Sequence, residues 1–151
     1  MDTSTLEALH QSQLIDLTTT GRRTGEPRRI EIYLHELDGQ LFISGTPRRD
    51  RTRDWIYNIT ADPRVTVHLK RSALVDLPAT ARVVTDPAER RPLIEAAARH
   101  WGRTDVAEML QFSPLIVLAL DDAAALAEQA DKDAFHRETG EQTSTSERNS
   151  G

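Results

Sequence analysis

The feature that most constrains the fold is a period-two segment that runs directly into a two-residue turn signal. In residues 28–37, isoleucine and leucine side chains alternate with polar ones, which predicts a half-buried β-strand. Asp38 and Gly39 follow, and this dipeptide is typical of a tight β-hairpin turn. Residues 40–46 are therefore expected to return antiparallel beside the first strand, and this hairpin needs further elements to cover its apolar face.

Four more segments have the composition of β-strands. Residues 13–20 end in three β-branched threonines, and residues 64–70 alternate apolar with polar side chains. Residues 73–84 form a fifth strand that is expected to be bulged or at an edge, because Pro78 interrupts it. Residues 114–120 are continuously apolar. The chain is thus predicted to be mainly β with flanking helices, as a small six-stranded barrel and not a parallel sheet.

Short helices are predicted beside these strands. One begins after Thr52 as its cap and carries an apolar stripe that includes Trp55. Another begins at Asp86 as cap, with a proline at the first helical position and an acid at the third. Further helical turns are expected around residues 6–9 and 104–112.

Length and composition predict one domain with a polar tail. The chain has 151 residues, so residues 1–130 are expected to form a single domain, and residues 131–151, rich in Ser, Thr and Glu, a disordered tail. No apolar run is long enough for a membrane span, and the start lacks a secretory signal pattern. The absence of cysteine excludes disulfides and thiolate chemistry, and the expected location is cytoplasmic.

Several chemistries are excluded by spacing. Gly21 and Gly25 enclose three residues and not the four of a P-loop, and no Gly-x-Ser-x-Gly elbow is present. The five histidines lack metal-binding spacing, so no metal site is predicted, and His35 and His68 are expected to be solvated or hydrogen-bonded strand residues. A nucleic-acid binder is disfavoured by the net charge of −5.

The strongest functional signal is a basic, glycine-punctuated turn. Residues 18–71 carry 11 basic and 7 acidic side chains, a balance of +4 inside an acidic protein. Within residues 18–29, two glycines are expected to open backbone N–H groups beside four arginines, a combination that suits phosphate or carboxylate. From spacing alone, a basic surface hairpin without a ligand is equally compatible.

Two segments carry a resemblance to a known family. The first is LTTTGRRTGEPR at residues 17–28, and the second is DWIYNITADPRV at residues 54–65. A hairpin strand at residues 39–45 lies between them. Together they resemble the ordered motifs of the deazaflavin-dependent nitroreductase family, split-barrel oxidoreductases that use coenzyme F420. The resemblance covers residues 13–84.

This resemblance implies a fold, a cofactor and an activity. The fold is a six-stranded split β-barrel of the FMN-binding type, usually a homodimer, with coenzyme F420 in a groove beside the barrel and FMN as the alternative cofactor. The implied reaction is hydride transfer to a quinone, nitro or activated-alkene acceptor. Since the cofactor carries that chemistry, no catalytic acid or base needs to be identified. The alternative is a non-catalytic split-barrel protein that binds a lipid, fatty acid, haem or flavin.

The resemblance also implies thirteen cofactor-contacting positions in four groups. The basic turn would face the phosphate and acidic tail of the cofactor through Arg22, Arg23, Thr24 and Arg28. The second strand would place Glu31 and Tyr33 near the ring, and the third strand and the following loop would line the far side of the ring with Ser44, Gly45, Thr46, Arg48 and Arg49. The helix would close the pocket with Trp55 and Asn58. Two departures affect substrate choice: Glu31 replaces an expected Pro, and arginines replace a Lys/Gly-rich loop.

Overall fold

The computed structural model describes residues 2–48, 53–71 and 73–122. These ranges contain six strands and four helices. The strands are β1 (Gln13–Thr20), β2 (Pro27–Leu37), β3 (Gln40–Ser44), β4 (Arg64–Lys70), β5 (Leu74–Val83) and β6 (Leu115–Leu120). The helices are α1 (Thr3–Leu9), α2 (Asp54–Ala61), α3 (Pro87–Trp101) and α4 (Val106–Phe112). The predicted domain end at residue 130 and the predicted tail at residues 131–151 lie outside the described residues.

The six strands close into one antiparallel barrel, in the order β1-β2-β3-β6-β5-β4 and back to β1. The predicted hairpin is confirmed, with Leu37 opposite Gln40 across the turn. Both turn residues have positive φ, 51° at Asp38 and 83° at Gly39, which matches the twist of the strands they connect. The predicted barrel class is confirmed.

Side chains of alternating strand positions fill the barrel. In β1 the buried positions alternate with half-buried ones, so Ile15 and Leu17 point inward. Helix α2 covers one end of the barrel and inserts Trp55 and Ile59 into this core. A second apolar cluster lies between the barrel wall and α3–α4, and includes Phe42, Leu93, Ile94 and Met109.

Helix α3 follows the predicted signals. The Asp86 carboxylate accepts from the Glu89 backbone N–H at 3.0 Å, Pro87 is the first helical residue, and Gly102 ends the helix with φ of 67°. The helix packs on the outer face of β2 and β3. None of the helices in the described part of the chain is long and apolar enough to cross a membrane.

Of two expectations about strand and helix details, one is confirmed in part and one is wrong. Pro78 is not bulged, since it pairs in continuous register with Thr66, but it lies at a local edge of β5 on the side facing β6. The proline is tolerated because β6 pairs only as far as Ala79, and beyond that point only the Pro78 carbonyl is used, by the Asp121 N–H at 3.0 Å. Helix α2 begins after Arg53, whose side chain makes no capping bond, and Thr52 lies outside the described residues.

Candidate functional site

The turn between β1 and β2 is closed by its own backbone. The Gly21 N–H donates to the Glu26 carbonyl at 2.8 Å, and the Gly25 N–H donates to the Gly21 carbonyl at 2.8 Å. The Glu26 N–H donates to the Thr24 hydroxyl at 3.1 Å, and Gly25 supplies the positive φ of 74° that this path requires. The N–H groups of the turn were expected to be open to a ligand. Those of Gly21, Gly25 and Glu26 are not, because the turn itself uses them, whereas those of Arg23 and Thr24 donate to no group among the described residues.

Asn58 on α2 fastens the turn to the barrel. Its Oδ1 accepts from the Arg22 backbone N–H at 3.1 Å and from Arg22 Nη1 at 3.3 Å. Its Nδ2 donates to the Thr19 hydroxyl at 3.2 Å. The Arg22 guanidinium also lies 5.0 Å from the ring centroid of Tyr57, in a cation–π contact. One buried amide therefore fixes both the backbone and the side chain of Arg22.

The four arginines of the turn are not equivalent. Arg29 donates to Asp16 at 2.9 Å, and Asp16 also accepts from Lys70 at 2.7 Å. Hydrogen bonds from Lys70 and Arg29 hold the pKa of Asp16 below its ordinary value. Among the described residues, the side chains of Arg23 and Arg28 take part in no hydrogen bond or ion pair. Because Arg22 has only neutral partners, the positive charge that no carboxylate compensates is that of Arg22, Arg23 and Arg28.

These elements enclose a cleft of about 630 Å³, which we call the cationic cleft. This volume lies within the range of small-molecule sites. Its lining residues are Gly21, Arg22, Arg23, Thr24, Pro27, Arg28, Arg29, Ile30, Asp54, Trp55 and Asn58. Trp55 is only 8% exposed and belongs to the barrel core as well, so it packs in the core and lines the cleft at once. Six of the thirteen predicted positions are thus brought together.

The two predicted positions on β2 lie outside this cleft. Glu31 is exposed on the outer face of the barrel and contacts Lys70. Tyr33 is half-buried under α3, with its ring centroid 6.1 Å from that of Trp101. Both positions lie farther along β2 than the turn.

The end of β3 is also separate from the cationic cleft. Ser44 is buried and its hydroxyl donates to the Pro114 carbonyl at 2.7 Å. Arg53 Nη2 donates to the Thr46 carbonyl at 2.8 Å, and Gly45 lies between Pro114 and Arg53, where a Cβ would approach both within 3.3 Å. Arg53 was not among the residues predicted from the sequence, although it is one of several arginines directly before α2.

The last two of the thirteen predicted positions are the loop arginines Arg48 and Arg49. Arg48 lines a second groove, on the side of α2 where α3 and α4 lie, and Arg49 lies outside the described residues. In the part of the chain that the structure describes, no group of three His, Asp or Glu side chains could hold a metal ion.

Both strand histidines are hydrogen-bonded, which confirms the expectation from the sequence. His35 is fully buried under α3, stacked on Phe42 and with its Nδ1 3.0 Å from His100 Nδ1. Burial, and to a lesser degree His100, lowers the pKa of His35 to about 4. His68 lies within 2.7 Å of both the Thr18 hydroxyl and Asp76, as a hydrogen-bonded strand residue.

The barrel and its cleft define a class of protein. The protein is a six-stranded antiparallel split barrel, with a glycine turn and a helix at one end. The model of the family described as F420H(2)-dependent quinone reductase matches residues 2–120. The chain belongs to this family. The resemblance found in the sequence is confirmed, and the cofactor of the family is F420.

Solved structures share the fold at low sequence identity. A conserved hypothetical protein from Mycobacterium tuberculosis has a TM-score of 0.64 at 18% identity, over 80% of this chain and 81% of that chain. An F420-H2 dependent reductase, FDR-A, has a TM-score of 0.53 at 21% identity, over 70% and 92% of the two chains. A structure described as a domain-swapped dimer has a TM-score of 0.55 at 19% identity, over 70% and 78%.

Proposed function

We propose that this protein binds coenzyme F420 in the cationic cleft and reduces a quinone, nitro or activated-alkene acceptor with it. The observation that carries the proposal is the pair Arg23 and Arg28, whose guanidinium groups meet no carboxylate among the described residues. Asp54 also lines the cleft, but the arginines outnumber it, and a surplus of positive charge favours an anionic ligand. A phosphate and acidic tail supply that charge, so the residues present fit the cofactor of the family.

The turn would hold the acidic tail through its side chains. The guanidinium groups of Arg22, Arg23 and Arg28 line the cleft, and each can form charge-assisted hydrogen bonds to phosphate or carboxylate. Thr24 fixes the turn by accepting from Glu26. Asn58 keeps Arg22 in place before any ligand arrives, which reduces the ordering cost of binding.

Trp55 would form the apolar wall against the cofactor. Its ring is anchored in the barrel core and also lines the cleft, so it presents a rigid aromatic surface that excludes water. Reduced F420, when bound, supplies a hydride. The proton that completes reduction of the acceptor comes from solvent, and the protein's part is to bind and orient. The contacts predicted at Glu31, Tyr33, Ser44–Thr46, Arg48 and Arg49 stay predictions.

The proposal includes a homodimer. It is supported by the solved domain-swapped dimer that shares the fold. Sedimentation velocity is expected to give a mass near twice the 16.9 kDa of the chain. A single 16.9 kDa species at micromolar concentration would contradict the dimer and leave the cofactor proposal unaffected.

The direct test is titration of the purified protein with oxidised F420, followed by tryptophan quenching, with FMN as the comparison ligand. Tight binding of F420 that weakens as salt is raised is expected, because the contacts are ionic. Turnover is then followed through loss of reduced F420 with menadione, a nitroaromatic compound or an enone as acceptor. If the protein does not bind F420 and copurifies with a lipid, haem or flavin, the reductase proposal is wrong and the non-catalytic binding protein takes its place.

A further inference from the structure

A second groove, of about 550 Å³, lies on the side of α2 away from the cationic cleft. We call it the Arg90 groove. It is bounded by the ends of β5 and α4 and the starts of α2, α3 and β6. Its lining includes Arg48, Ile56, Val83, Arg90, Leu110 and Ser113. Among the described residues, the lining combines an apolar majority with four arginines and includes no acidic side chain.

Arg90 is the cation built into this groove. Its guanidinium donates to the carbonyl oxygens of Val84, Met109, Leu110 and Ser113 at distances from 2.8 to 3.3 Å. These bonds tie α3 to the end of α4 and hold the side chain in one position. Arg90 is therefore preorganised and cannot swing out to find a partner.

The charge of Arg90 has no counter-ion among the described residues. All its partners are neutral carbonyls, and no carboxylate lies within ion-pair distance. Burial lowers the pKa of Arg90 from its ordinary value, the direction expected for a cation removed from water without an anion beside it. Of the five guanidinium hydrogens, one on Nη1 is left without an acceptor, because Nη1 donates only to Val84.

Ser113 supplies an independent observation in the same groove. The residue is 3% exposed, and its hydroxyl makes no hydrogen bond within the described part of the chain. A buried hydroxyl left unpaired is costly, so natural structures rarely keep one without a partner. Arg90 and Ser113 are adjacent, since Arg90 Nη2 donates to the Ser113 carbonyl at 2.8 Å.

We propose that the Arg90 groove is a binding site for a carboxylate that carries an apolar body. The carboxylate takes the remaining Nη1 hydrogen of Arg90 and the Ser113 hydroxyl. The apolar body lies against Ile56, Val83 and Leu110. The Arg90 groove is separate from the cationic cleft, although it shares Arg48 with the predicted cofactor contacts, and the proposal does not depend on the proposed reduction.

The experiment measures binding of dansyl-undecanoate to the full chain by fluorescence enhancement, with its methyl ester as the uncharged control. The acid is expected to bind about tenfold or more tightly than the ester, the scale of a hydrogen bond to a charged group. Equal affinity for the acid and the ester would overturn the proposal.

The decisive variant is Ser113→Ala. It removes a hydroxyl without a partner, so the melting temperature is expected to stay the same or rise, while affinity for the acid falls about tenfold and that for the ester does not change. Arg99→Gln, an exposed arginine on the same helix, is the matched control and is expected to bind as the wild type does. Unchanged affinity for the acid in Ser113→Ala would exclude the assigned carboxylate position.

Discussion

Asn58→Ala is expected to destabilise the protein and to loosen the basic turn. Asn58 is 6% exposed and makes three hydrogen bonds, to the Arg22 backbone, the Arg22 side chain and the Thr19 hydroxyl. At about 1 kcal/mol each, with the bond to the solvent-exposed guanidinium contributing less, the loss is about 2–3 kcal/mol of unfolding free energy. For a domain of this size that corresponds to a fall of about 6–12 °C in melting temperature.

Asn58→Asp separates the structural role from the electrostatic one. The carboxylate keeps both acceptor contacts with Arg22, and the Thr19 hydroxyl can turn to donate to it. Stability is therefore expected to stay within about 1 kcal/mol of the wild type. The added negative charge beside the cationic cleft is expected to weaken binding of F420 about tenfold. In Asn58→Ala, both stability and affinity fall.

The assays are urea unfolding followed by tryptophan emission and, on the same samples, titration with oxidised F420. Thr60→Ala is the matched control, since Thr60 is exposed on the same helix and its change is expected within about 0.5 kcal/mol. If Asn58→Ala unfolds at the wild-type urea concentration and binds F420 normally, Asn58 does not hold the turn. The assignment of Arg22 to a fixed position would then be wrong.

Three further predictions follow from the same structure. Arg23→Ala and Arg28→Ala are each expected to weaken F420 binding by about 1–3 kcal/mol and to reduce the salt dependence of binding. Arg29→Ala is expected to change F420 affinity less, because the Arg29 guanidinium already pairs with an aspartate. Quenching titrations at two salt concentrations compare the three variants. Trp55→Phe is expected to stay folded with a slightly lower melting temperature and to bind F420 several-fold more weakly; a sharp fall in melting with normal binding would make Trp55 a core residue only. The pKa of His35 is about 4 in the folded protein and about 6.5 in the unfolded chain, so the unfolded state takes up the proton first as the pH falls. The stability contribution of neutral His35 is fully present above pH 6.5. It falls by on the order of 3 kcal/mol between pH 6.5 and 4. Urea unfolding across that range checks this, and the slope is expected to flatten in His35→Phe.

The strands could be predicted from the sequence because their signals are local. In β1 and β4 the alternation of side chains fixes which face is buried, and both bounds coincide with the structure, at Gln13–Thr20 and Arg64–Lys70. At Pro78 the sequence left a bulge and an edge position open, because the choice depends on the end of β6, which is far away in sequence. Local chemistry does not show where a neighbouring strand stops pairing.

The site could be predicted only in part, since its parts meet through the fold. Asn58 and Arg22 are 36 residues apart, and only the family resemblance indicated that they belong to one pocket. Neutralisation of Arg29 by Asp16 depends on the pairing of β1 with β2, and burial of His35 depends on the packing of α3. A count of the four arginines therefore overestimates the uncompensated charge of the turn. The alternation of side chains in β2 likewise does not show that α3 covers the outer face of this strand.

The two grooves share a physical design that explains why both are suited to anions. In each, a cation is held by neutral hydrogen-bond acceptors and not by a carboxylate: Asn58 and the aromatic ring of Tyr57 for Arg22, and carbonyl groups for Arg90. Such partners fix geometry and leave the charge uncancelled, at a cost in stability that an anionic ligand removes when it binds. The pair Arg29 and Asp16 shows the opposite arrangement on the same barrel, where the charge is already satisfied. Ligand-induced stabilisation by anions is therefore expected at the first two cations and not at the third.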